Sequence, residues 1–195
     1  RYTVSVQNVQ LARDTRLIWA SASLGGRATK EFLRSDLTAP GAHAEMQGFS
    51  FAARDQYLDQ STYQHHQVER TYSDLLYRNV LRDEARTAFY GMIRVEPDAQ
   101  GTEGYQTNNN LLLDDARAHA IPGLEIIAND VVCSHGATVS RLDQEELFYL
   151  RSRGIPRVQA EHLIVRGFLS PIIGHMPLAC IRSQLDEEIS RRFWR

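Results

Sequence analysis

The chain has 195 residues, of which 43% are hydrophobic and 24% charged, and its formal net charge is −2 at pH 7. This length suits one domain, or one domain with a small appendage, and the composition is that of an ordinary globular protein. The near balance of acidic and basic residues argues against a nucleic-acid-binding protein, because phosphate backbones attract clustered Lys and Arg.

Cysteine content and hydropathy narrow the class of protein further. The two cysteines, Cys133 and Cys180, are too few for a disulfide-stapled fold in a chain of this length, and they favour a reducing, cytoplasmic setting. No apolar run approaches the roughly 20 residues that a membrane-spanning helix needs, so no membrane association is expected. No signal peptide is recognisable. The sequence begins at Arg1 directly in a strand-like segment, which suggests a piece of a longer protein.

The first part of the chain, up to about residue 138, predicts many short β-strands separated by Gly, Asn and Asp. Strand-like runs occur at residues 3–6, 17–20, 49–51, 72–76, 88–95, 111–113 and 124–127. Their spacing fits a sandwich, a barrel or a β-helix. The hairpin pairs Asn-Gly and Asp-Gly are absent, which weakens an antiparallel meander. Asn108, Asn109 and Asn110 resemble the polar turn positions that stack in solenoids, which favours a β-helix.

The pattern becomes helical near residue 139. Asp143 is placed to cap a first helix with Glu146 at its third position, and Leu142 and Leu147 have the spacing of a hydrophobic staple. Gly154 is expected to end this helix. The sequence therefore predicts a β-rich body over residues 1–138 and a helical region over residues 139–195.

Two more helices are predicted in this region. Pro156 suits the first position of the second helix, whose apolar positions include Leu163, Ile164 and Phe168. The third helix is expected to begin at Pro177 and to present one apolar stripe. The members of that stripe are Leu178, Ile181, Leu185, Ile189 and Phe193. Cys180, next to this stripe, is expected to have a packing role.

The strongest candidate site is the pair Cys133 and His135. If this segment is a strand, side chains two positions apart point to the same face. A thiolate beside an imidazole suits zinc, copper or iron–sulfur chemistry. Structural metal sites usually have four ligands. The pair is therefore either half of a site that a partner completes, or a structural pair in which Cys133 is a buried small hydrophobe and His135 a corner residue.

The other candidate motifs give weaker signals. Adjacent His65 and His66 point to opposite faces of a strand, so a shared metal ion is not expected and structural or surface roles are. Ser134, His135 and Asp130 cannot form a nucleophilic triad, because neighbours on one strand cannot build that chain of contacts. The sequence contains neither a Gly-x-Ser-x-Gly elbow nor a phosphate-binding loop, so any ATP must be bound by another chain.

Four segments that follow in close order resemble the SufB/SufD family of iron–sulfur cluster assembly proteins. They are QTNNNLLL (106–113), PGLEI (122–126), CSHGAT (133–138) and LFYLRSRGI (147–155). The resemblance implies a mainly β protein, a right-handed parallel β-helix followed by a C-terminal α-helical region. It also implies that SufB and SufD pair through their β-helices and that the helical region docks SufC, an ATPase of the ABC type. The chain is expected to correspond to the core and C-terminal region only.

The same resemblance favours the SufD-like branch, because the Cys-Ser-His-Gly-Ala-Thr form is SufD-like and SufB-like chains carry a cysteine where this chain has Leu150. It implies a scaffold subunit, not an enzyme, in which His135, with Cys133 close by, binds a nascent iron–sulfur cluster shared with SufB. ATP would enter only through SufC. The alternatives are a SufB-like homodimer that brings two copies of the pair together, a carbohydrate-active β-helix enzyme, and a purely structural interaction module.

Overall fold

The computed structural model describes residues 1–175 and 179–193. In this part of the chain ten strands precede three helices. The strands are Tyr2–Leu11 (β1), Arg16–Ser23 (β2), Ala28–Leu37 (β3), His43–Ala52 (β4), Tyr57–His66 (β5), Tyr72–Leu81 (β6), Arg86–Val95 (β7), Thr102–Leu112 (β8), Arg117–Ile126 (β9) and Val131–Arg141 (β10). The helices are Gln144–Ser152 (α1), Arg157–His175 (α2) and Ala179–Phe193 (α3).

The strands form two five-stranded parallel sheets. Sheet A has the order β1-β3-β5-β7-β9, and sheet B has the order β10-β8-β6-β4-β2. Successive strands alternate between the sheets, so each turn of the chain adds one strand to each sheet. Ser50 and Asn79, which are 29 positions apart, are therefore neighbours on adjacent strands. The expected parallel β-helix followed by C-terminal helices is confirmed.

The interior between the two sheets is partly polar. On β5 the inward side chains Gln60, Thr62, Gln64 and His66 are buried, whereas the outward positions are more exposed. This inverts the usual pattern of apolar residues inside, and it explains why the strand-like runs of the sequence miss β5. Most of the inward residues of β5 are polar, so the strand lacks the alternation of apolar and polar residues that normally marks a strand.

An asparagine ladder occupies this interior at sheet B. Ser50 Oγ donates to Asn79 Oδ1 at 2.6 Å, and Asn79 Nδ2 donates to Asn110 Oδ1 at 2.9 Å. The expectation that Asn108 to Asn110 occupy a turn is wrong, because all three lie within β8. Stacking itself does occur, since parallel strands in register place like side chains above one another.

The transition to the helices follows the local sequence signals. Asp143 caps α1, and its Oδ1 accepts from the Glu145 N–H at 2.8 Å. Gly154, at φ 84°, lies just beyond the end of this helix in the left-handed region that glycine tolerates best. The predicted cap and helix end are therefore confirmed. The strand β10 continues to Arg141, past the boundary expected at residue 138.

The start of α2 differs from the prediction by one position. Ala160 N–H donates to the carbonyl of Pro156 at 3.0 Å, so Pro156 precedes α2 as its cap instead of being its first residue. Pro171 lies inside the helix. The predicted helix start at Pro177 and the stripe residue Leu178 lie outside the described residues.

The helices cover the outer face of sheet B. Their buried side chains share one apolar cluster with outward residues of β4, β6 and β8, and the cluster includes Phe49, Phe51, Val80, Leu111, Val165, Leu169, Ile189 and Phe193. Two arginines form hydrogen bonds from the β-helix to the helices. Arg78 donates to the carbonyl of Phe168, and Arg82 donates to the carbonyl of Phe193 at 2.9 Å. The guanidinium carbon of each arginine also lies 5.2 Å from the ring centroid of the same phenylalanine.

Two residues predicted at apolar helix positions face solvent. Leu163 is 47% exposed and Ile181 is 38% exposed, whereas Ile189 and Phe193 are buried as expected. Cys180 is also exposed, so the packing role expected for it is wrong. None of the helices among the described residues combines the length and the hydropathy needed to cross a membrane.

The cap of α1 gives a first stability prediction. Asp143→Ala removes the acceptor of the Glu145 N–H and should lower the free energy of unfolding by about 1 kcal/mol. Urea denaturation followed by circular dichroism measures this difference. Asp143→Asn keeps a side-chain acceptor at the same position and should retain most of the stability. Equal destabilisation by both substitutions would contradict the capping role.

Candidate functional site

The pair Cys133 and His135 lies on β10, the last strand of sheet B. Strand β10 pairs with β8, and sheet B ends there within the part of the chain that the structure describes. Cys133 pairs in register with Gly104, and His135 pairs with Gln106. Cys133 and His135 are two positions apart on one strand, so their side chains share one face. That face is the interior side of the last turn, because their partners Gly104 and Gln106 are buried. Cys133 is half-buried there, whereas His135 is exposed.

The Cys133 thiol lies against an apolar cluster. Its neighbours include the buried Ile93, Val95 and Ala128. Burial raises the pKa of the Cys133 thiol, and a backbone hydrogen bond with Gly104 offsets this only in part. The thiol form is therefore favoured, and a metal ion that binds the sulfur must displace its proton.

Gly104 brings a third residue to this site. A Cβ atom added at Gly104 would lie 3.3 Å from Cys133 Sγ and 3.4 Å from His66 Nε2. The missing side chain of Gly104 thus leaves a space that the thiol, the imidazole and the Ile93 side chain border. Residues 66 and 133 are far apart in sequence, so only the winding of the chain brings them together.

His66 is held as a neutral base inside the β-helix. Its Nδ1 lies 2.7 Å from Thr71 Oγ1 and its Nε2 lies 2.8 Å from Ser73 Oγ. Burial, with a smaller contribution from the neighbouring His65, lowers the pKa of His66 to about 4. His65 points outward between Asp36 and Glu96, so the prediction that these two histidines face opposite sides is confirmed.

Gln106 lies beneath His135, with which it pairs in register. It is 1% exposed, and neither of its amide atoms has a hydrogen-bond partner among the described residues. It reaches across the interior towards Gly91 on sheet A, where an added Cβ would lie 2.3 Å from Gln106 Nε2. No periodicity in the sequence marks Gln106 or His66 as neighbours of the site, because both contacts cross between turns.

Cys133 and His135 do not by themselves complete a metal site among the described residues. Within residues 1–175 and 179–193 no group of three or more His, Cys, Asp or Glu side chains is arranged to hold a metal ion. His43 lies elsewhere and forms a hydrogen bond with Glu45, in which His43 Nε2 is 2.8 Å from Glu45 Oε1. One thiol and one imidazole at the rim of a sheet can bind a metal centre only together with ligands from elsewhere.

Comparison with known proteins gives a consistent result. The family model described as "SUF system FeS cluster assembly, SufBD core domain" matches residues 1–168. An iron–sulfur cluster assembly SufBD family protein of Mycobacterium leprae is 34% identical over 191 residues, which cover 93% of this chain and 49% of the relative. The iron–sulfur cluster assembly protein SufD of Escherichia coli is 33% identical over 183 residues, which cover 93% of this chain and 43% of that protein. The chain thus spans about half the length of these curated relatives.

Proposed function

The chain belongs to the SufBD family of the SUF iron–sulfur cluster assembly system, and from this premise we propose that it is a SufD-like subunit of the assembly scaffold. In this proposal it pairs with a SufB-type subunit and docks the ATPase SufC in the cytoplasm. The observation that carries the proposal is the incomplete pair Cys133 and His135 on the end strand β10. Family membership supports an assembly subunit over the carbohydrate-active enzyme considered from the sequence.

The cluster is the cargo of this scaffold, and the chain supplies part of its binding site. Cys133 offers a sulfur ligand and His135 an imidazole, both suited to iron. The remaining ligands come from the partner across β10. The outer edge of β10 pairs with no strand in the described part of the chain and can pair with a strand of another chain. Because the subunit holds its cargo without transforming a substrate, we assign it no catalytic residue, and ATP hydrolysis belongs to SufC.

A SufB-like homodimer remains a second candidate. A two-fold axis beside β10 would bring two copies of Cys133 and His135 together and so give four ligands, two thiolates and two imidazoles. Anaerobic reconstitution of this chain alone with iron and sulfide distinguishes the two proposals. We expect no stable cluster without a SufB-type partner. A stable visible-absorbing cluster in the isolated chain, lost on His135→Ala, would favour the homodimer.

The proposed SufC-docking surface consists of exposed apolar side chains on α1 and α2. Phe148 is 72% exposed and Tyr149 is 57% exposed on α1, and Val158 and Leu163 on α2 are 43% and 47% exposed. They point away from the cluster that fastens the helices to sheet B. Exposed aromatic residues of this kind are typical anchors of protein–protein interfaces.

We expect Phe148→Ser to weaken co-purification with SufC about tenfold, because it removes a large apolar contact without opening the core. Affinity pull-down with tagged SufC, quantified against input, measures the effect. Ile18→Ser is the matched control, since Ile18 is a similarly exposed apolar residue (53%) on β2. Unchanged SufC binding by Phe148→Ser would argue against this surface.

A point substitution is a sharper test than removal of the helices. Cutting the chain after residue 139 would expose Phe49 and Phe51, which are 1% and 2% exposed beneath the helices. Loss of SufC binding in such a truncation could then result from unfolding. The Phe148 variant leaves this apolar cluster intact, so its unfolding midpoint should match that of the unsubstituted chain.

A further inference from the structure

The outer face of sheet A is not covered by any helix among the described residues, and one end of it forms an exposed patch. We call this the sheet A patch and define it by Tyr57, Arg86, Tyr90, Arg117, His119 and Ile121 on β5, β7 and β9. These residues line a shallow depression of about 460 Å³. Tyr57 is 43%, Tyr90 47% and Ile121 55% exposed. The patch lies on the opposite sheet from the helices and from β10.

The other end of the same face has its charges neutralised internally. His65 lies between Asp36 and Glu96, at 3.0 and 2.9 Å. Arg94 forms ion pairs with Glu96 at 2.7 Å and with Glu125 at 3.0 Å. In this region, stacked strands place each basic side chain beside an acidic one, so the network needs no external partner.

The basic side chains of the sheet A patch have no such partners among residues 1–175 and 179–193. Arg86 and Arg117 are neighbours in register on β7 and β9, and both are exposed. Neither side chain forms an ion pair or a hydrogen bond within the described parts of the chain. Like charges opposite one another on paired strands repel each other. A carboxylate placed between them would offset that repulsion and accept hydrogen bonds from both guanidinium groups.

Aromatic and aliphatic side chains adjoin this positive pair. In register along the sheet, Tyr57 precedes Arg86 and Arg117, and Tyr90 lies beside Ile121. Tyrosine and arginine, with tryptophan, are the residues most enriched in the anchoring positions of protein interfaces. The patch therefore combines an uncompensated positive charge with apolar surface that solvent still contacts.

We propose that the sheet A patch binds an acidic segment of a partner protein, with carboxylates on Arg86 and Arg117 and apolar side chains against Tyr57, Tyr90 and Ile121. A single-stranded nucleic acid fits less well, because its phosphates would meet only two arginines and a histidine on a chain of net charge −2. This surface is separate from the one proposed for cluster binding, so each can fail without the other.

The probe is a fluorescein-labelled synthetic peptide that alternates Glu with Leu and Phe, titrated with the whole chain and followed by fluorescence anisotropy. We expect Arg86→Glu with Arg117→Glu to weaken its binding at least about tenfold, because two attractive contacts become repulsive. The binding by the unsubstituted chain should also weaken as salt is raised, since exposed charges are screened. Tyr90→Ser should also weaken binding, and by a similar factor at low and at high salt, because it removes an apolar contact.

The matched control is Arg13→Glu with Arg151→Glu, which makes the same change in net charge at exposed positions outside the patch and should leave peptide binding unchanged. Circular dichroism and the thermal midpoint of each variant check that the fold is retained. Equal weakening by both double variants, or equal binding of a peptide with Gln in place of Glu, would overturn the proposal. Tighter binding of a labelled oligothymidylate than of the acidic peptide would also overturn it.

Discussion

Replacement of His135 by alanine in the complete scaffold should reduce cluster loading by more than about tenfold. Removing a ligand acts directly on the metal, and changes that only disturb a ligand's orientation already cost 10- to 100-fold in comparable sites. The measurement is anaerobic reconstitution with a SufB-type partner and SufC, followed by visible absorbance and by iron and sulfide content. Cys133→Ala should also reduce loading, because the half-buried thiol shares the interior face of β10 with His135.

Two further variants make this test specific. Ser134→Ala changes the residue between the two proposed ligands. The Ser134 side chain faces the opposite side of β10, so this variant should load the cluster normally. His135→Cys replaces the imidazole by a thiolate, which also binds iron, and should keep part of the loading. Normal loading by His135→Ala would refute the ligand role, whereas loss in Ser134→Ala as well would indicate that the strand itself is disturbed.

Acidification should destabilise the fold through His66. The pKa of His66 is about 4 in the folded chain, against 6.5 for the free side chain. Its neutral form is favoured in both states above pH 6.5, so it makes no difference to stability there. Below that pH the unfolded chain binds the proton first, so the free energy of unfolding falls as the pH drops from 6.5 to 4. The expected loss is about 3 kcal/mol, since one pKa unit corresponds to about 1.4 kcal/mol.

Urea denaturation at intervals between pH 7 and pH 4 measures this loss, and His66→Gln isolates it. Carboxylates also titrate in this range, so the difference between the two chains carries the result. The glutamine keeps a polar side chain near Thr71 and Ser73 but cannot titrate, and the variant should show a shallower dependence of stability on pH. Parallel curves for the two chains would show that His66 is not the group responsible.

The sequence alone was sufficient where a signal is local. Asp143 and Gly154 specify the start and the end of α1 by contacts within a few residues, and both predictions hold. The close order of the segments at 106–113, 122–126, 133–138 and 147–155 identified the family, which the match over residues 1–168 confirms. The family in turn gave the parallel β-helix, which the spacing of short strands had left beside a sandwich and a barrel.

Features that depend on stacking could not be read in this way. The buried face of β5 is made of Gln60, Thr62, Gln64 and His66, and such a strand has no apolar alternation to recognise. The three asparagines of β8 were assigned to a turn because polar runs usually mark turns. Two of them, Asn108 and Asn110, are buried inside the fold. Asn110 belongs there to the Ser50–Asn79–Asn110 ladder, whose members come from three different turns of the chain.

The features of the candidate site likewise separate into those that the local sequence determines and those that depend on contacts between turns. The sequence determined that Cys133 and His135 share one face of a strand, because that relation needs only the alternation of side chains along a single strand. The tertiary structure decided that Cys133 is half-buried, that His66 borders the space left by Gly104, and that Gln106 lies beneath His135. Each of these contacts joins residues on different strands. The winding of successive turns, and not the local sequence, brings them into contact.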